Sequence, residues 1–370
     1  MASRRDSYNQ DQGQGQHVLL TGANGFVASH ILLRLLERGF TVTATVRSQD
    51  KADDIIKTHP EWKDKINFAV VSDLTSQQPF DEIFDNAKQP FTFIIHAASP
   101  LKFDVEDIEK EMIEPATKGT SEMLRIALRH QDTYLKRFVL LGSAVSVLNS
   151  FEDMSREGRP YTEKDWNPVT AKEAIDRKDA VLGYNASKTQ AEQAAWEFME
   201  QNKPAFDLTV INPDVTIGPM IHPIEGPKSI NETNRFAIAS FIDGTHETVE
   251  DVRFPFYHYV DVRDVAKSAV DALTNPAAGG QRILLVSGLI TPQLVVNTIR
   301  KHFPALRERV PKGLIGRILP EGVQPTDWKK NTSLDILSQG TPDEQGRWIH
   351  IELEQSIKDT VQSMLDLGLV

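Results

Sequence analysis

Short apolar runs alternate with amphipathic segments through the first two thirds of the chain. Runs rich in Val, Ile, Leu, Thr and Phe are typical of buried β-strands. We predict strands at residues 17–20, 41–46, 66–71, 91–98, 136–142 and 207–212. Helical periodicity is found at residues 25–38, 49–57, 79–87, 106–130 and 184–202. This alternation predicts an α/β fold, a doubly wound parallel sheet with helices on both faces.

The pattern becomes less regular after residue 212. Pro and Gly cluster at 213–227 and again at 304–325. We therefore expect a first domain over residues 17–212 and a smaller lobe over 213–370. We expect a strand at 282–287 to return to the main sheet, and a last helix is predicted near 350–366. Residues 1–16 are polar and rich in Gln and Gly, which predicts a disordered tail.

Composition then excludes several classes of protein. The net charge of −11 argues against nucleic acid as the main partner, because phosphate binding needs a basic surface. The sequence has no cysteine, which excludes disulfides, thiolate nucleophiles and Cys-based metal sites. Its start lacks the apolar core of a secretory signal, and no stretch reaches 18 uninterrupted apolar residues. We expect a cytoplasmic monomer or homodimer with no membrane partner and no metal.

Small residues are concentrated between the first strand and the first helix, in "TGANGFVA". Gly22 permits the positive φ of a sharp turn because it has no Cβ. Gly25 lets a pyrophosphate approach the backbone, and Ala28 lets the helix pack closely on the strand. The helix N-terminus then offers N–H groups and a positive dipole end to the phosphates. This context favours dinucleotide binding over an ordinary tight loop.

The residues after the second strand indicate which dinucleotide binds. A free 2′-hydroxyl usually meets Asp or Glu there, whereas this chain has "TVRSQDK", with Arg47 and Lys51. Such cations suit a 2′-phosphate, so the site favours NADPH over NADH. The alternative is two solvated surface charges. Asp73, after the third strand, is placed either to accept a hydrogen bond from adenine or to cap a helix.

The segment "YNASK" carries candidate acid–base chemistry. Tyr184 and Lys188 are four residues apart, so they share one face of the predicted helix. A nearby ammonium favours the phenolate, so Lys188 should lower the pKa of Tyr184 and ease proton transfer. Ser143, at the end of the strand in "FVLLGSAVS", could hold a substrate carbonyl beside Tyr184. The three together favour a catalytic site over a capped surface helix.

These segments occur in a fixed order with others: "TGANGFVASH", "VRSQDK", "HAASP", "GSAVS", "YNASK", "NPDVTIGP" and "YVDVRDVA". In this order they resemble extended short-chain dehydrogenases/reductases, in the group of dihydroflavonol reductases, cinnamoyl-CoA reductases and fungal methylglyoxal/aldehyde reductases. "AAWEFMEQNKP" and "YVDVRDVAKSAV" are most similar to the fungal members. The resemblance covers about residues 17–365. It implies a Rossmann fold, NADPH as cofactor and reduction of an aldehyde or ketone carbonyl to an alcohol.

The resemblance also implies a set of site residues. Ser143, Tyr184 and Lys188 match the catalytic triad. With the residues of the glycine turn and of the strand ends, the expected cofactor contacts are Gly22, Asn24, Gly25, Phe26, Val27, Arg47, Lys51, Asp73, Leu74, His96, Ala97, Ala98, Pro213, Val215 and Thr216. The substrate pocket, by motif position, includes Leu101, Phe103, Ala144, Val181 and Asp214. We expect His96 to be a packing residue near the cofactor rather than a metal ligand.

The chain departs from the family pattern at several places. Gly142 stands where Ser or Thr usually precedes the triad serine, and Ala144 stands where fungal relatives often have Tyr. A fourth catalytic residue, Asn in many relatives, has no clear match; Thr117 or Lys118 stands near its place. Asp214 replaces a common hydrophobic residue. Its carboxylate either faces the pocket, where it would disfavour anions, or stabilises the loop, which we favour.

Other functions on this fold predict different residues. A non-catalytic NADPH sensor would not need the triad, which is intact here. Dehydratases carry acidic residues after the fifth strand, but "GSAVSVLN" has none. Epimerases commonly have Tyr-Gly where this chain has Val147-Leu148. The sequence therefore favours a carbonyl reductase with a mainly apolar pocket that selects its substrate by size and shape.

Overall fold

The computed structural model describes residues 13–99, 103–131, 134–149, 160–250, 252–325, 327–340 and 346–370. Its strands are β1 His17–Thr21, β2 Thr41–Val46, β3 Ile66–Val70, β4 Phe93–His96, β5 Arg137–Leu141, β6 Asp207–Pro213, β7 Val215–Ile217, β8 His258–Asp261, β9 Gln281–Leu285 and β10 Gly288–Leu289. Seven strands form one parallel sheet in the order β3-β2-β1-β4-β5-β6-β9. This is the order of a dinucleotide-binding fold with one strand added, so the predicted fold class is confirmed.

Helices cover both faces of the parallel sheet. The described helices are α1 Phe26–Glu37, α2 Gln49–Thr58, α3 Gln78–Asp85, α4 Glu114–Arg129, α5 Ala171–Arg177, α6 Ala180–Asn202, α7 Glu232–Ala237, α8 Val262–Thr274, α9 Pro292–His302, α10 Asn331–Gly340 and α11 Leu353–Asp366. Val18 and Leu20 of β1 pack into the same core cluster as α1 and α8, whereas Leu19 packs with α4 and α6. Successive strand residues point to opposite faces, so a strand buried on both sides reads as a continuous apolar run.

Two predicted helices differ in their bounds. The segment predicted as one helix at 106–130 begins with a π-helical turn, Glu109–Ile113, before α4. Helix α6 begins at Ala180 instead of Tyr184, because Asp179 Oδ1 accepts hydrogen bonds from the N–H groups of Val181 and Leu182. Tyr184 therefore lies in the second turn of α6, where the helix is already established.

The chain leaves the main sheet at residue 214. Pro213 ends β6, and Val215 begins β7 of a second sheet with the order β10-β8-β7. A separate apolar cluster from β7, α7, α9 and α11 forms the core of this C-terminal part. Strand β9 returns to the main sheet beside β6, as predicted for residues 282–287. In the described residues no helix is both long enough and apolar enough to cross a bilayer.

Residues 13–16, which the sequence places in a disordered tail, make defined contacts in the structure. Gly13 N donates a hydrogen bond to Arg38 O, and Thr41 N donates to Gln16 O. A Cβ at Gly13 would lie 2.6 Å from Phe40, so this residue packs closely on the end of the α1–β2 connection. Residues 13–16 are thus held by backbone bonds, and assigning them to the tail was wrong. Residues 1–12 lie outside the described part.

Candidate active site

The glycine turn joins β1 to α1. Gly22 has φ +72°, and a Cβ there would lie 3.0 Å from Ala98 Cα, so both conformation and space require glycine. Gly25 precedes α1, and no side chain in the described part of the chain caps this helix. The N–H groups of its first turn therefore remain available for an anion. Ala28 is buried in the first turn of α1.

Thr21 fixes the strand next to this turn, and no motif in the sequence marks it. Its Oγ1 accepts a hydrogen bond from Ala98 N at 3.0 Å and lies 2.9 Å from His96 Nδ1. Burial, and then the positive charge of Lys188, lower the pKa of His96 to about 4. A neutral, buried His96 agrees with the predicted packing role. The role of Thr21 could not be predicted from the sequence, because β1 is a continuous run of buried residues and Thr21 looks like one more of them.

The predicted 2′-phosphate residues lie at the same edge of the sheet, after β2. Arg47 is exposed. Lys51 Nζ donates to Asp54 Oδ2 at 3.0 Å and to Glu225 Oε1 at 3.1 Å. Asp73 accepts hydrogen bonds from the N–H and hydroxyl of Thr75, both at 2.8 Å. Asp73 therefore caps a turn rather than a helix, and Lys51 already has two carboxylate partners.

Ser143, Tyr184 and Lys188 lie together. Ser143 follows β5 and begins a short helical turn, and its hydroxyl forms a hydrogen bond with that of Tyr184. Lys188 Nζ lies 5.8 Å from the centre of the Tyr184 ring, on the same face of α6. The structure therefore brings the three predicted catalytic side chains to one place from two distant segments.

Burial dominates the electrostatics of this group. It raises the pKa of Tyr184, while the hydrogen bond from Ser143 opposes the shift. It also lowers the pKa of Lys188 to about 8. The expected net lowering of the Tyr184 pKa is wrong for this structure. Burial disfavours the charged phenolate more strongly than the Ser143 hydrogen bond favours it. The Ser143 hydroxyl, rather than the Lys188 ammonium, is the group that lowers this pKa.

One cavity of about 1180 Å³ connects the glycine turn with these three side chains. Its lining contains most of the predicted residues: Gly22, Gly25, Phe26, Val27, Ala97, Phe103, Ser143, Ala144, Val181, Tyr184, Lys188, Pro213, Asp214, Val215 and Thr216. Other predicted contacts do not line it: Asn24, Arg47, Lys51, Asp73, Leu74, His96 and Ala98. Leu101 lies outside the described residues. The cavity thus joins the phosphate turn to the candidate chemistry, and the ends of β2 and β3 lie beyond it.

The C-terminal part supplies the apolar wall that sequence reasoning missed. Ile230, Phe236, Phe254 and Phe256 line the same cavity. The ring of Phe103 approaches that of Tyr184, with centres 5.7 Å apart. No short motif marks the four wall residues, since they come from loops and short helices after residue 213. Charged side chains line the cavity as well: Lys228, Glu232, Arg235, Glu247 and Arg253. The predicted mainly apolar pocket is therefore wrong for the cavity as a whole, because the segments after residue 226 bring charged groups to its rim together with the apolar wall.

Asp214 is buried where the chain passes between the two sheets. It is 8% exposed, and its Oδ1 accepts a hydrogen bond from Val215 N at 2.7 Å. Among the described residues its Oδ2 has no hydrogen-bond partner. Burial raises its pKa to about 7, although the positive charge of Lys330 acts in the opposite direction. The carboxyl stabilises the turn through Val215 N, and Asp214 also lines the cavity. A loop-stabilising role and a place at the pocket are therefore not exclusive.

Other residues singled out in the sequence lie away from the chemistry. Lys118 pairs on the surface with Glu114, at 2.6 Å. Arg263 pairs with Asp261 and with Asp359 of α11, at 2.8 and 2.7 Å. This second network agrees with the bracing role predicted for "YVDVRDV". In the described residues no group of three or more His, Asp or Glu side chains is arranged to hold a metal ion.

Comparisons with known proteins give a consistent result. A family model described as "Male sterility protein", of NAD-binding type, matches residues 20–262. A putative NADPH-dependent methylglyoxal reductase of Candida albicans is 33% identical over 94% of this chain and 98% of its own. A ketoreductase of Aspergillus niger is 32% identical over 94% of this chain and 97% of its own.

A solved structure matches the whole architecture. Yeast methylglyoxal/isovaleraldehyde reductase complexed with NADPH superposes with a TM-score of 0.82 and 27% identity. The match covers 96% of this chain and 100% of that one. The similarity therefore extends through both the parallel sheet and the C-terminal part that completes the cavity.

Proposed function

The chain belongs to the extended short-chain dehydrogenase/reductase family, and from this premise we propose that it reduces an aldehyde or ketone carbonyl with NADPH. One observation carries the proposal: Ser143, Tyr184 and Lys188 meet in the cavity that begins at the glycine turn. The relatives named for NADPH-dependent methylglyoxal reduction and for ketone reduction support it.

The residues present fit a dinucleotide. The α1 N-terminus has no side-chain cap in the described structure, and a Cβ at Gly25 would approach only Gly22 O, at 3.3 Å. Phosphate oxygens can therefore approach these N–H groups. Pro213, Val215 and Thr216 would flank the nicotinamide, and Arg47 and Lys51 would meet the 2′-phosphate. When bound, NADPH supplies the hydride that reduces the carbonyl carbon.

The three polar residues divide the remaining chemistry. The Ser143 hydroxyl donates a hydrogen bond to the carbonyl oxygen and holds it beside Tyr184. The Tyr184 phenol donates its proton to that oxygen as the carbonyl becomes an alcohol, and the phenolate is later reprotonated from water. Lys188 Nζ lies 5.8 Å from the centre of the Tyr184 ring, and its ammonium would hold the ribose of the bound nucleotide beside the phenol. The hydride becomes the new hydrogen on the carbonyl carbon and the proton becomes the hydroxyl hydrogen, so both hydrogens added to the substrate are accounted for.

The apolar wall directs the choice of substrate. Phe103, Val181 and Phe256 favour an aldehyde or ketone of moderate size with an apolar or aromatic flank. Ala144 is small where fungal relatives often have Tyr, which leaves more room beside the triad. We therefore propose that the enzyme accepts ketones bulkier than methylglyoxal. A cytoplasmic location and a monomeric or dimeric state remain predictions.

The test measures NADPH oxidation over a panel of aldehydes, ketones, imines and sugar nucleotides. We expect turnover with carbonyl compounds, and Tyr184→Phe should lower kcat by about 10²–10⁴-fold while NADPH still binds. The NADPH Kd of the variant, measured by nucleotide fluorescence, serves as the folding control. Wild-type turnover in Tyr184→Phe, or activity confined to sugar nucleotides, would overturn the proposal.

A further inference from the structure

The side-chain amide of Asn212 lies directly behind Ser143. Asn212 is on β6 and is 0% exposed. Its Nδ2 donates one hydrogen bond to Ser143 O at 3.0 Å and another to Glu192 Oε2 at 2.8 Å. The amide nitrogen carries two hydrogens, so both are used. Because both acceptors lie around Nδ2, they fix the orientation of the amide group. The amide in turn holds the carbonyl oxygen of Ser143 in place.

Glu192 continues the face of α6 that carries Tyr184 and Lys188. The three residues are spaced four apart, so they follow one another along the helix. Glu192 is 1% exposed, and its Oε1 accepts a hydrogen bond from Arg282 Nε at 2.6 Å. A carboxylate buried this deeply needs such partners. The same residue thus joins the helix of Tyr184 to the amide behind Ser143.

Arg282 anchors the other end of the network. It lies on β9, and its Nη1 donates to the carbonyl oxygens of Glu163 and Asp165, at 2.9 and 2.7 Å. Its guanidinium lies 3.8 Å from the centre of the Trp166 ring. The network therefore connects the end of β5 with β6, β9 and α6, and none of its charged groups is left unpaired.

Gly142, which precedes Ser143, packs closely against the same network. A Cβ at Gly142 would lie 2.9 Å from Asn212 Nδ2 and 2.9 Å from Val210 Cγ1, both shorter than real contacts of a Cβ. The buried amide and this valine therefore leave no room for a side chain at residue 142 without a shift of one of them.

We propose that Asn212, held by Glu192, is a positioning residue that sets Ser143 relative to Tyr184 for carbonyl reduction. The proposal rests on the proposed function. Asn212 touches neither substrate nor cofactor; it acts through the Ser143 peptide, whose hydroxyl bonds to Tyr184. The Ser143 bond lowers the pKa of Tyr184, so a displaced serine should raise that pKa further.

Asn212→Ala tests this, with Thr209→Ala as its matched control. Thr209 is on the same strand, is equally buried and donates to Ala278 O at 2.7 Å, far from Ser143. We expect Asn212→Ala to lower kcat at least tenfold with the NADPH Kd unchanged within about twofold. The pH at which kcat reports Tyr184 ionisation should move upward. Thr209→Ala should lose stability but keep kcat and its pH profile.

Two results would overturn the proposal. One is a wild-type kcat and pH profile in Asn212→Ala, and the other is an equal loss of kcat per folded molecule in Thr209→Ala. If Asn212→Ala does not fold, Glu192→Gln is measured instead, with the same expected changes and the same contrary results. Tyr184→Phe is assayed in parallel. If it loses activity while the positioning variants keep theirs, only the positioning role is wrong and the reductase assignment stands.

Discussion

The carboxylate of Glu225 pairs with the ammonium of Lys51 at 3.1 Å, across 174 residues of sequence. Lys51 belongs to α2 of the parallel-sheet part, and Glu225 belongs to the loop after β7. Two neighbouring contacts hold the same loop: His30 Nε2 lies 2.9 Å from Pro219 O, and His59 Nε2 lies 2.7 Å from Ile221 O. The C-terminal part thus reaches the proposed 2′-phosphate site through Glu225.

Arg47 and Lys51 should determine the cofactor preference. Replacing both by Ala removes the positive charge proposed to meet the 2′-phosphate, and such contacts contribute about tenfold or more in affinity. The NADPH Kd should rise while the NADH Kd stays nearly unchanged, as measured by fluorescence titration of each nucleotide. An equal loss for both nucleotides would contradict the assignment, because NADH has no 2′-phosphate.

Glu225 should oppose NADPH binding. Its carboxylate competes with the 2′-phosphate for Lys51 and repels it, but exposed ion pairs contribute only about 0–1 kcal/mol. We expect Glu225→Gln to tighten NADPH binding by about two- to fivefold and to leave NADH unaffected. Glu321→Gln, a change of the same charge at an exposed pair with Arg317, is the control. A similar gain in that control would assign the effect to net charge alone.

The size of the pocket beside Ser143 should set substrate preference. Ala144 is 1% exposed and packs against Val147 and Leu148, so a larger residue must project into the cavity or disturb this packing. Ala144→Tyr should lower kcat/KM for an aryl ketone by tenfold or more, about the effect of one unfavourable group in an apolar pocket. The value for methylglyoxal should change less.

Val181→Phe narrows the same cavity from α6 and provides an independent test. It should shift the aryl ketone and methylglyoxal values in the same sense as Ala144→Tyr. Unchanged NADPH binding in each variant shows that the fold is intact. The size argument fails if both variants keep wild-type activity toward the aryl ketone, or if an α-keto acid is the best substrate of the wild type.

Asp214 should make the folded protein less stable as pH rises. Its pKa is raised by burial to about 7, whereas in the unfolded chain it is about 4. Between these values unfolding releases a proton, so the free energy of unfolding falls with rising pH, by a few kcal/mol in total, to an order of magnitude. Above about pH 7 both states are ionised and the effect is constant.

Asp214→Asn removes this titration but keeps an acceptor for Val215 N. We expect its Tm to exceed that of the wild type increasingly from pH 5 to pH 7.5, measured by thermal unfolding in buffers of matched ionic strength. Asp73→Asn, at an exposed carboxyl that also caps a turn, should show no such trend. Parallel Tm curves for the wild type and Asp214→Asn would contradict the raised pKa.

Much of the fold could be predicted because its signals are local. The apolar runs of β1 to β6 indicate strands that are buried on both faces of the sheet. Gly22 indicates a positive φ, which other residues rarely adopt. The helical spacing of Tyr184 and Lys188 also survives in the structure. Predictions failed where the same local pattern is compatible with more than one structure. The start of α6 is set by the cap that Asp179 provides, and the conformation of residues 13–16 is set by hydrogen bonds to the connection between α1 and β2.

The site residues were harder to predict where their role depends on what surrounds them. Asn212 reads as part of a loop motif, yet its function in the structure comes from contacts with Ser143 and Glu192. Phe236 and Phe256 carry no pattern of their own, and they form the wall only because the C-terminal part folds back on the main sheet. Contacts between distant segments are not encoded in the spacing of either segment.

The sequence by itself determined the doubly wound sheet, the glycine turn and the presence of Ser143, Tyr184 and Lys188. These follow from residue size, backbone conformation and helical or strand periodicity, which act over a few residues. Only the tertiary structure decided that Lys51 has a partner in Glu225 and that burial reverses the expected pKa shift of Tyr184. The physical reason is that desolvation and ion pairing depend on all neighbours in space, most of which are far away in sequence.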